Sequence, residues 1–248
     1  MANANQTFIA YEGPSLYDGK PIVVLIQTGS SNRKTGNMVQ TYILRSDVDP
    51  ITASRTGEDS SICGTCPHMG KPNPDSDKGQ AIGRTCYVTL AHGPLGKWKA
   101  YKAGKYPRVT GHKDIRALGL GRMVRVGTYG DPSAVPQYIW ESLTSACDGW
   151  TSYTHGKTNL APNMHMTSAE SPMQAKAAWN RGERTFRVIK SLDSIIKGKE
   201  ILCPASQEAG ARTTCESCKL CAGASIKAKS VAIVAHGIAK RKAKELVQ

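Results

Sequence analysis

Hydrophobic and polar positions follow two different spacings along this chain, and the change falls near residue 120. Before it, Pro21-Ile-Val-Val-Leu-Ile-Gln27 is an apolar run of strand length and Gly29-Ser-Ser-Asn-Arg-Lys-Thr-Gly36 is rich in turn formers. Met38 to Leu44 then alternates, so the two segments predict an antiparallel hairpin. Residues 46–82 carry little periodicity and read mostly as loop, with the turn-prone Lys71-Pro-Asn-Pro-Asp-Ser-Asp77 inside them. Cys86-Tyr-Val-Thr-Leu90 reads as a further strand. After residue 120, short apolar segments alternate with helical ones. Met123 to Val126, Trp150 to Tyr153, Met164 to Thr167, Thr185 to Ile189 and Val231 to Val234 predict strands. Val135, Ile139 and Leu143 share a helix face, Met173 to Asn180 predicts a second helix ended by Gly182, and Ile238 to Val247 predicts a basic terminal helix.

Strands alternating with helices argue for a parallel sheet with right-handed crossovers. The expected fold is α/β: a partial (β/α) barrel or open parallel sheet, with an N-terminal antiparallel hairpin and long cysteine-bearing loops. It is expected as a single domain over residues 1–248, loop-rich over 1–119 and β/α over 120–248. In either architecture ligands sit beyond the C-terminal strand ends. Those ends are polar here: Tyr129-Gly-Asp131, Thr154-His155, Ser168 with Glu170, Lys190-Ser191, and His236. Asp131, His155, Glu170 and His236 are therefore candidate catalytic residues, for acid–base or ligand-orienting roles. Each also has a plainer reading: Asp131 as a helix cap, His155 and His236 as polar loop positions, Glu170 as part of a helix start.

The cysteines add chemistry to this outline. Seven of the 8 form two groups, Cys63, Cys66 and Cys86, then Cys203, Cys215, Cys218 and Cys221. Two-residue gaps let successive thiolates turn inward on one loop, as a tetrahedral zinc or an iron–sulfur cluster requires. Zinc sites usually join two close doublets, whereas Cys215-x2-Cys218-x2-Cys221 resembles a ferredoxin-type run whose fourth cysteine is distant and precedes proline, as Cys203-Pro204 does. The expected cofactors are a 4Fe–4S cluster on the four-cysteine group and a 4Fe–4S or 3Fe–4S cluster on the three, with zinc as the alternative. His68 could serve as a fourth ligand to the first group, or be a loop histidine in solvent. Cys147 stands alone, four residues after Leu143, and reads as a small buried hydrophobe.

Charge changes the expected partners. Lys and Arg number 33 against 19 Asp and Glu, a net charge of +14, which favours nucleic acid, another polyanion or a phosphate-bearing ligand. Trp98, Tyr101 and Tyr106 are interleaved with Lys97, Lys99, Lys102 and Lys105, a pattern suited to stacking on single-stranded bases or to lysine stems covering packed aromatics. No basic start followed by an apolar stretch and no run near ~18 apolar residues is visible, so a cytoplasmic protein with reduced thiols and no membrane contact is expected. Walker A, GxSxG, HExxH and GxGxxG motifs are absent.

Taken together, Gly127-Thr-Tyr-Gly-Asp-Pro132, Trp150-Thr-Ser-Tyr-Thr-His155, and Cys203-Pro204 through Thr214-Cys-Glu-Ser-Cys-Lys-Leu-Cys221 to Ala235-His-Gly237 resemble cysteine-rich proteins of unknown function encoded by bacteriophages and some bacteria. That resemblance spans roughly residues 60–237 and implies the host cytoplasm if the chain is phage-encoded. More distantly, the architecture resembles radical-SAM enzymes, which implies a partial barrel with a three-cysteine 4Fe–4S cluster at its mouth, one iron open to S-adenosylmethionine, and auxiliary clusters. The chain departs from that family's tight C-x3-C-x2-C loop, which counts against S-adenosylmethionine as a ligand. The expected function is thus iron–sulfur binding with redox or radical-type chemistry; a zinc-braced, basic nucleic-acid-binding protein without catalysis is the alternative.

Overall fold

A computed structural model describes residues 5–156, 163–237 and 239–247. Nine strands form one sheet in the order β1-β2-β3-β4-β5-β6-β7-β9-β8. They are β1 (Thr7–Pro14), β2 (Pro21–Gln27), β3 (Val39–Arg45), β4 (Met123–Tyr129), β5 (Gly149–Thr154), β6 (Met166–Ala169), β7 (Thr185–Ile189), β8 (Glu200–Leu202) and β9 (Ser230–Val234). The first three pair antiparallel, and every pairing from β3 onward is parallel. The sheet is open and mostly parallel, with its antiparallel part at the N-terminal edge. Ile22 to Ile26 are all fully buried because β2 lies inside the sheet, which accounts for their unbroken apolar run.

The helices are α1 (Pro50–Thr56), α2 (Ser60–Cys63), α3 (Gly93–Lys102), α4 (Gly111–Gly119), α5 (Gln137–Thr144), α6 (Pro172–Asn180), α7 (Cys215–Cys218) and α8 (Lys240–Leu246). Side chains alternate across each strand. Val124 and Val126 of β4 join Ile115 and Leu118 of α4 and Ile139 and Leu143 of α5 in the largest core. Arg125, between the two valines, lines a cavity instead. Likewise Ile189, Ala232 and Val234 form one small cluster, while Phe186, Val188, Val231 and Ile233 pack with cysteines in another. Alternate positions on the same strands thus feed a helix-bearing core and a cysteine-bearing one.

Several local expectations are corrected. Residues 46–82 contain α1 and α2, the first capped by Asp49, whose carboxylate accepts from the N–H groups of Ile51 and Thr52. Cys86 to Leu90 is irregular and forms no strand, since no partner strand runs beside it. The helix expected to carry Val135, Ile139 and Leu143 on one face starts only at Gln137. Asp131 caps a short 3-10 turn over Pro132–Ala134, and Val135 is extended before α5 begins. Lys97 to Lys102 lie in α3, where Trp98, Tyr101 and nearby Tyr106 pack against the large core. Lys97 Nζ sits 5.8 Å from the ring centres of Tyr42 and Tyr106, and Lys102 Nζ 5.7 Å from that of Trp98. Ile238, where the terminal helix was expected to start, lies outside the described residues. Among the described residues no helix is long and apolar enough to cross a membrane.

Candidate metal centres

The first cysteine group is assembled by backbone bonds across a long stretch of chain. Cys63 ends α2, and the Cys66 N–H donates to the Cys63 carbonyl at 3.1 Å. Between them Gly64 has φ +56, and a Cβ there would lie 2.6 Å from the Tyr17 ring, so glycine lets this turn tuck beneath Tyr17. The excursion after His68 is closed by reciprocal bonds between Lys71 and Ile82, at 2.9 and 2.8 Å. The N–H groups of Thr85 and Cys86 then both donate to the His68 carbonyl, at 3.0 and 2.9 Å. Finally, the Asp131 N–H donates to the Ile62 carbonyl at 2.6 Å, fixing the group against the end of β4.

Polar atoms without a protein partner surround this group. Among the described residues Nε and Nη2 of Arg84 and the Tyr129 hydroxyl are buried without a hydrogen-bond partner. Arg84 Nη1 pairs with Asp59 Oδ2 at 3.3 Å, both side chains buried, which leaves its Nε and Nη2 without acceptors. Burial works against the charge of this guanidinium, while its neighbours Cys86, Tyr129, Cys63 and Asp59 favour it. Burial raises the Asp59 carboxyl to about 6 despite Arg84. Burial also pushes the Cys63 and Cys86 thiols above their ordinary value, so without a cation they are held as neutral thiols.

The four candidate catalytic residues converge here. Cys63, Cys66, Cys86, His68, Asp131, His155, Ser168, Glu170 and His236 line one cavity of about 160 Å³. Lys190 and Ser191 are not among its lining residues. Asp131 both caps and ties: its carboxylate accepts from Ser133 N–H (2.9 Å), the Thr154 hydroxyl (2.6 Å) and His155 N–H (2.7 Å). His155 Nε2 meets Glu170 Oε1 at 2.8 Å, and His68 Nε2 approaches the same oxygen at 3.5 Å. His68 is therefore a buried wall residue, not a solvent histidine; its Nδ1 lies 2.8 Å from the Thr85 hydroxyl. Burial disfavours charge on His155, but hydrogen bonds with Cys66 and Glu170 outweigh it and raise the imidazole well above its ordinary value. Burial would raise Glu170, yet bonds from His155 and His68 hold it at about 2.

The second group is held by β8 and β5. Cys203 follows β8, and its N–H continues the ladder to the Ala232 carbonyl at 2.8 Å. Cys215 and Cys218 bracket α7, capped by the Thr214 hydroxyl, and the Cys221 carbonyl accepts from Ser152 N–H of β5 at 2.9 Å. Cys203 and Cys221 are buried beside Met166, Val231 and Ile233. These cysteines, with Lys34, Arg125, Tyr153 and His236, line a cavity of about 380 Å³. Burial pushes Cys221 to about 12, aided by the charges of Cys203, Cys215 and Cys218. Arg125 is buried with no carboxylate beside it; its guanidinium donates to the Tyr87 hydroxyl and feels the charge of Cys215.

Tyr87, Val88, Thr128, Tyr153, Phe186, Val188 and His236 line both cavities, so a single layer of side chains separates the two groups. Tyr153 and Phe186 stack within that layer with ring centres 4.2 Å apart. Cys147 lies apart from both, packed against the large core. Sequence reasoning missed Tyr17, Asp59, Arg84 and Arg125. Only Arg84 carried a hint, two residues from Cys86, because burial of a charge is not written in local sequence. Among the described residues no three His, Cys, Asp or Glu side chains stand close enough to ligate a single metal ion. Compared with family models, with curated proteins and with solved structures, the chain matches none.

Proposed function

We propose that this chain is an iron–sulfur protein on an incomplete (β/α) barrel, with a four-cysteine cluster, a three-cysteine cluster, and redox or radical-type chemistry at the latter. The observation that carries this reading is the set of buried donors left without acceptors beside Cys63 and Cys86, Nε and Nη2 of Arg84 and the Tyr129 hydroxyl. Thiolates and sulfides are acceptors, and a cluster's sulfurs are where such N–H and O–H groups would point. A cluster also interposes iron and sulfide between its thiolates, which then stand farther apart than ligands of a lone ion. Arg84 beside the first group and Arg125 beside the second supply positive charge against thiolates that burial otherwise keeps protonated.

When bound, a three-thiolate cluster supplies electron transfer, and an iron without a protein thiolate can take an exogenous ligand. The chain's own residues bound what can happen there. His155, held charged by Glu170, can donate a proton into the cavity; His68 is a second nitrogen facing it. Asp131 fixes His155 through its backbone, so the wall is rigid where the proton resides.

Protein purified without oxygen should be brown and contain iron and acid-labile sulfide beyond one small cluster. Cys215→Ala, Cys218→Ala or Cys221→Ala should remove one cluster and spare the other. Colourless protein with stoichiometric zinc and no sulfide would overturn this reading and favour a zinc-braced, nucleic-acid-binding protein.

A further inference from the structure

A third cavity, a groove of about 830 Å³, opens beside the four-cysteine group. It shares Lys34, Ala205, Ile233 and His236 with the cavity those cysteines line, so the two are contiguous. One wall is the β2–β3 connection bearing Arg33 and Lys34; the other is the chain after Cys203, bearing Ser206 and Arg212. These segments are far apart in sequence and are stitched together by backbone bonds. Cys215 N–H donates to the Lys34 carbonyl and Glu216 N–H to that of Thr35, both at 3.0 Å. Asn37 N–H donates to the Glu216 carboxylate, also at 3.0 Å. Gly36, at φ +77, sits in this seam, where a Cβ would come within 2.3 Å of the same carboxylate.

The groove gathers positive charge without answering it. Among the described residues neither Arg33 nor Arg212 has a carboxylate partner. Lys34 Nζ instead lies 3.4 Å from another basic nitrogen, Nε2 of His236. Glu208 is the single acid in the lining. Ser206 Oγ accepts the Ala209 N–H at 3.2 Å, which fixes this turn of the wall. We propose that this groove binds a small phosphorylated molecule, its phosphate held between Arg33, Lys34 and Arg212. Planar guanidiniums pair with phosphate oxygens through two parallel bonds, and convergence from two walls suits a compact anion. The volume is that of a small-molecule site. Among the described residues no Phe, Tyr or Trp lines it, so the large stacking rings typical of single-stranded nucleic-acid sites are missing. This site is independent of which metal the cysteines hold.

Calorimetric titration of pyrophosphate into the full chain, purified without oxygen, tests the assignment at ionic strength fixed with sodium chloride. Saturable binding is expected, weakened about tenfold by Arg33→Ala and again by Arg212→Ala, because each removes a charge-assisted contact. Lys240→Ala, on α8 outside the groove, should leave it unchanged. Circular dichroism and metal content of each variant separate a lost site from a lost fold. No saturable binding at matched ionic strength, or binding indifferent to the double arginine variant, overturns the proposal. So does a single-stranded oligonucleotide that binds through Arg33 and Arg212 when pyrophosphate does not, which would make the surface a nucleic-acid contact.

Discussion

The Cys86 N–H donates to the His68 carbonyl at 2.9 Å, and this bond brings the third cysteine of the first group back beside Cys66. Its geometry depends on the Lys71–Ile82 bridge that closes the intervening excursion. Ile82→Pro removes the N–H that donates to Lys71 and should open that excursion. Metal analysis should show the three-cysteine centre depleted and the four-cysteine centre retained. Cys147→Ala, away from both, should leave metal content unaltered; equal loss from both variants would contradict this assignment.

Arg84 is expected to set the electronic properties of the first centre. Its Nε and Nη2 lack acceptors in the protein, and its charge lies beside Cys63 and Cys86. Arg84→Gln removes a positive charge next to a cluster, so the midpoint potential of that centre should fall in an electron-paramagnetic redox titration. The second centre should keep its potential. Asp59→Asn, which leaves the buried Arg84 charge uncompensated, should cost about 3 kcal/mol in denaturant unfolding.

His165 provides a pH dependence through a side chain that lines neither cysteine cavity. It is buried, its Nδ1 is hydrogen-bonded to the Ser152 hydroxyl, and burial lowers its pKa from 6.5 to about 4. The unfolded chain takes up this proton near pH 6.5, the folded chain only near 4. Stability from this group is therefore complete above pH 6.5 and is lost as pH falls through that window, by up to about 3 kcal/mol. His165→Asn keeps an acceptor for Ser152 and should flatten the unfolding free energy between those pH values.

Trp98 packs against the large core with Lys102 above its ring. Trp98→Ala should therefore lower stability by about 2–3 kcal/mol, read from chemical denaturation, because a partly buried indole is lost from a packed site. Were stability unchanged while oligonucleotide binding fell, the ring would belong to a nucleic-acid surface.

The parallel strands after residue 120 were legible because each is a short apolar segment bounded by turn or cap signals. Thr185 to Ile189 and Val231 to Val234 appear within a residue of their expected limits. The polar residues after those strands were legible for the same reason: chain direction in a parallel sheet puts them at one end, and Asp131, His155, Glu170 and His236 do share a cavity. α1, α3 and α4 were not, because short helices whose glycines, prolines and lysines resemble loop composition give weak periodicity. β8 was missed because a three-residue strand carries too few positions to alternate.

Local spacing alone determined that Cys215, Cys218 and Cys221 lie on one short segment, and all three line one cavity. Their union with Cys203 was decided by the β8–β9 pairing, and that of Cys86 with Cys63 and Cys66 by carbonyl and amide partners many residues away. The same holds for charge. The sequence shows an excess of +14 but not its distribution. Only the packing buries Arg84 and Arg125 beside thiols while leaving Arg33 and Arg212 unpaired at a groove, because burial and Coulomb partners depend on distances through space.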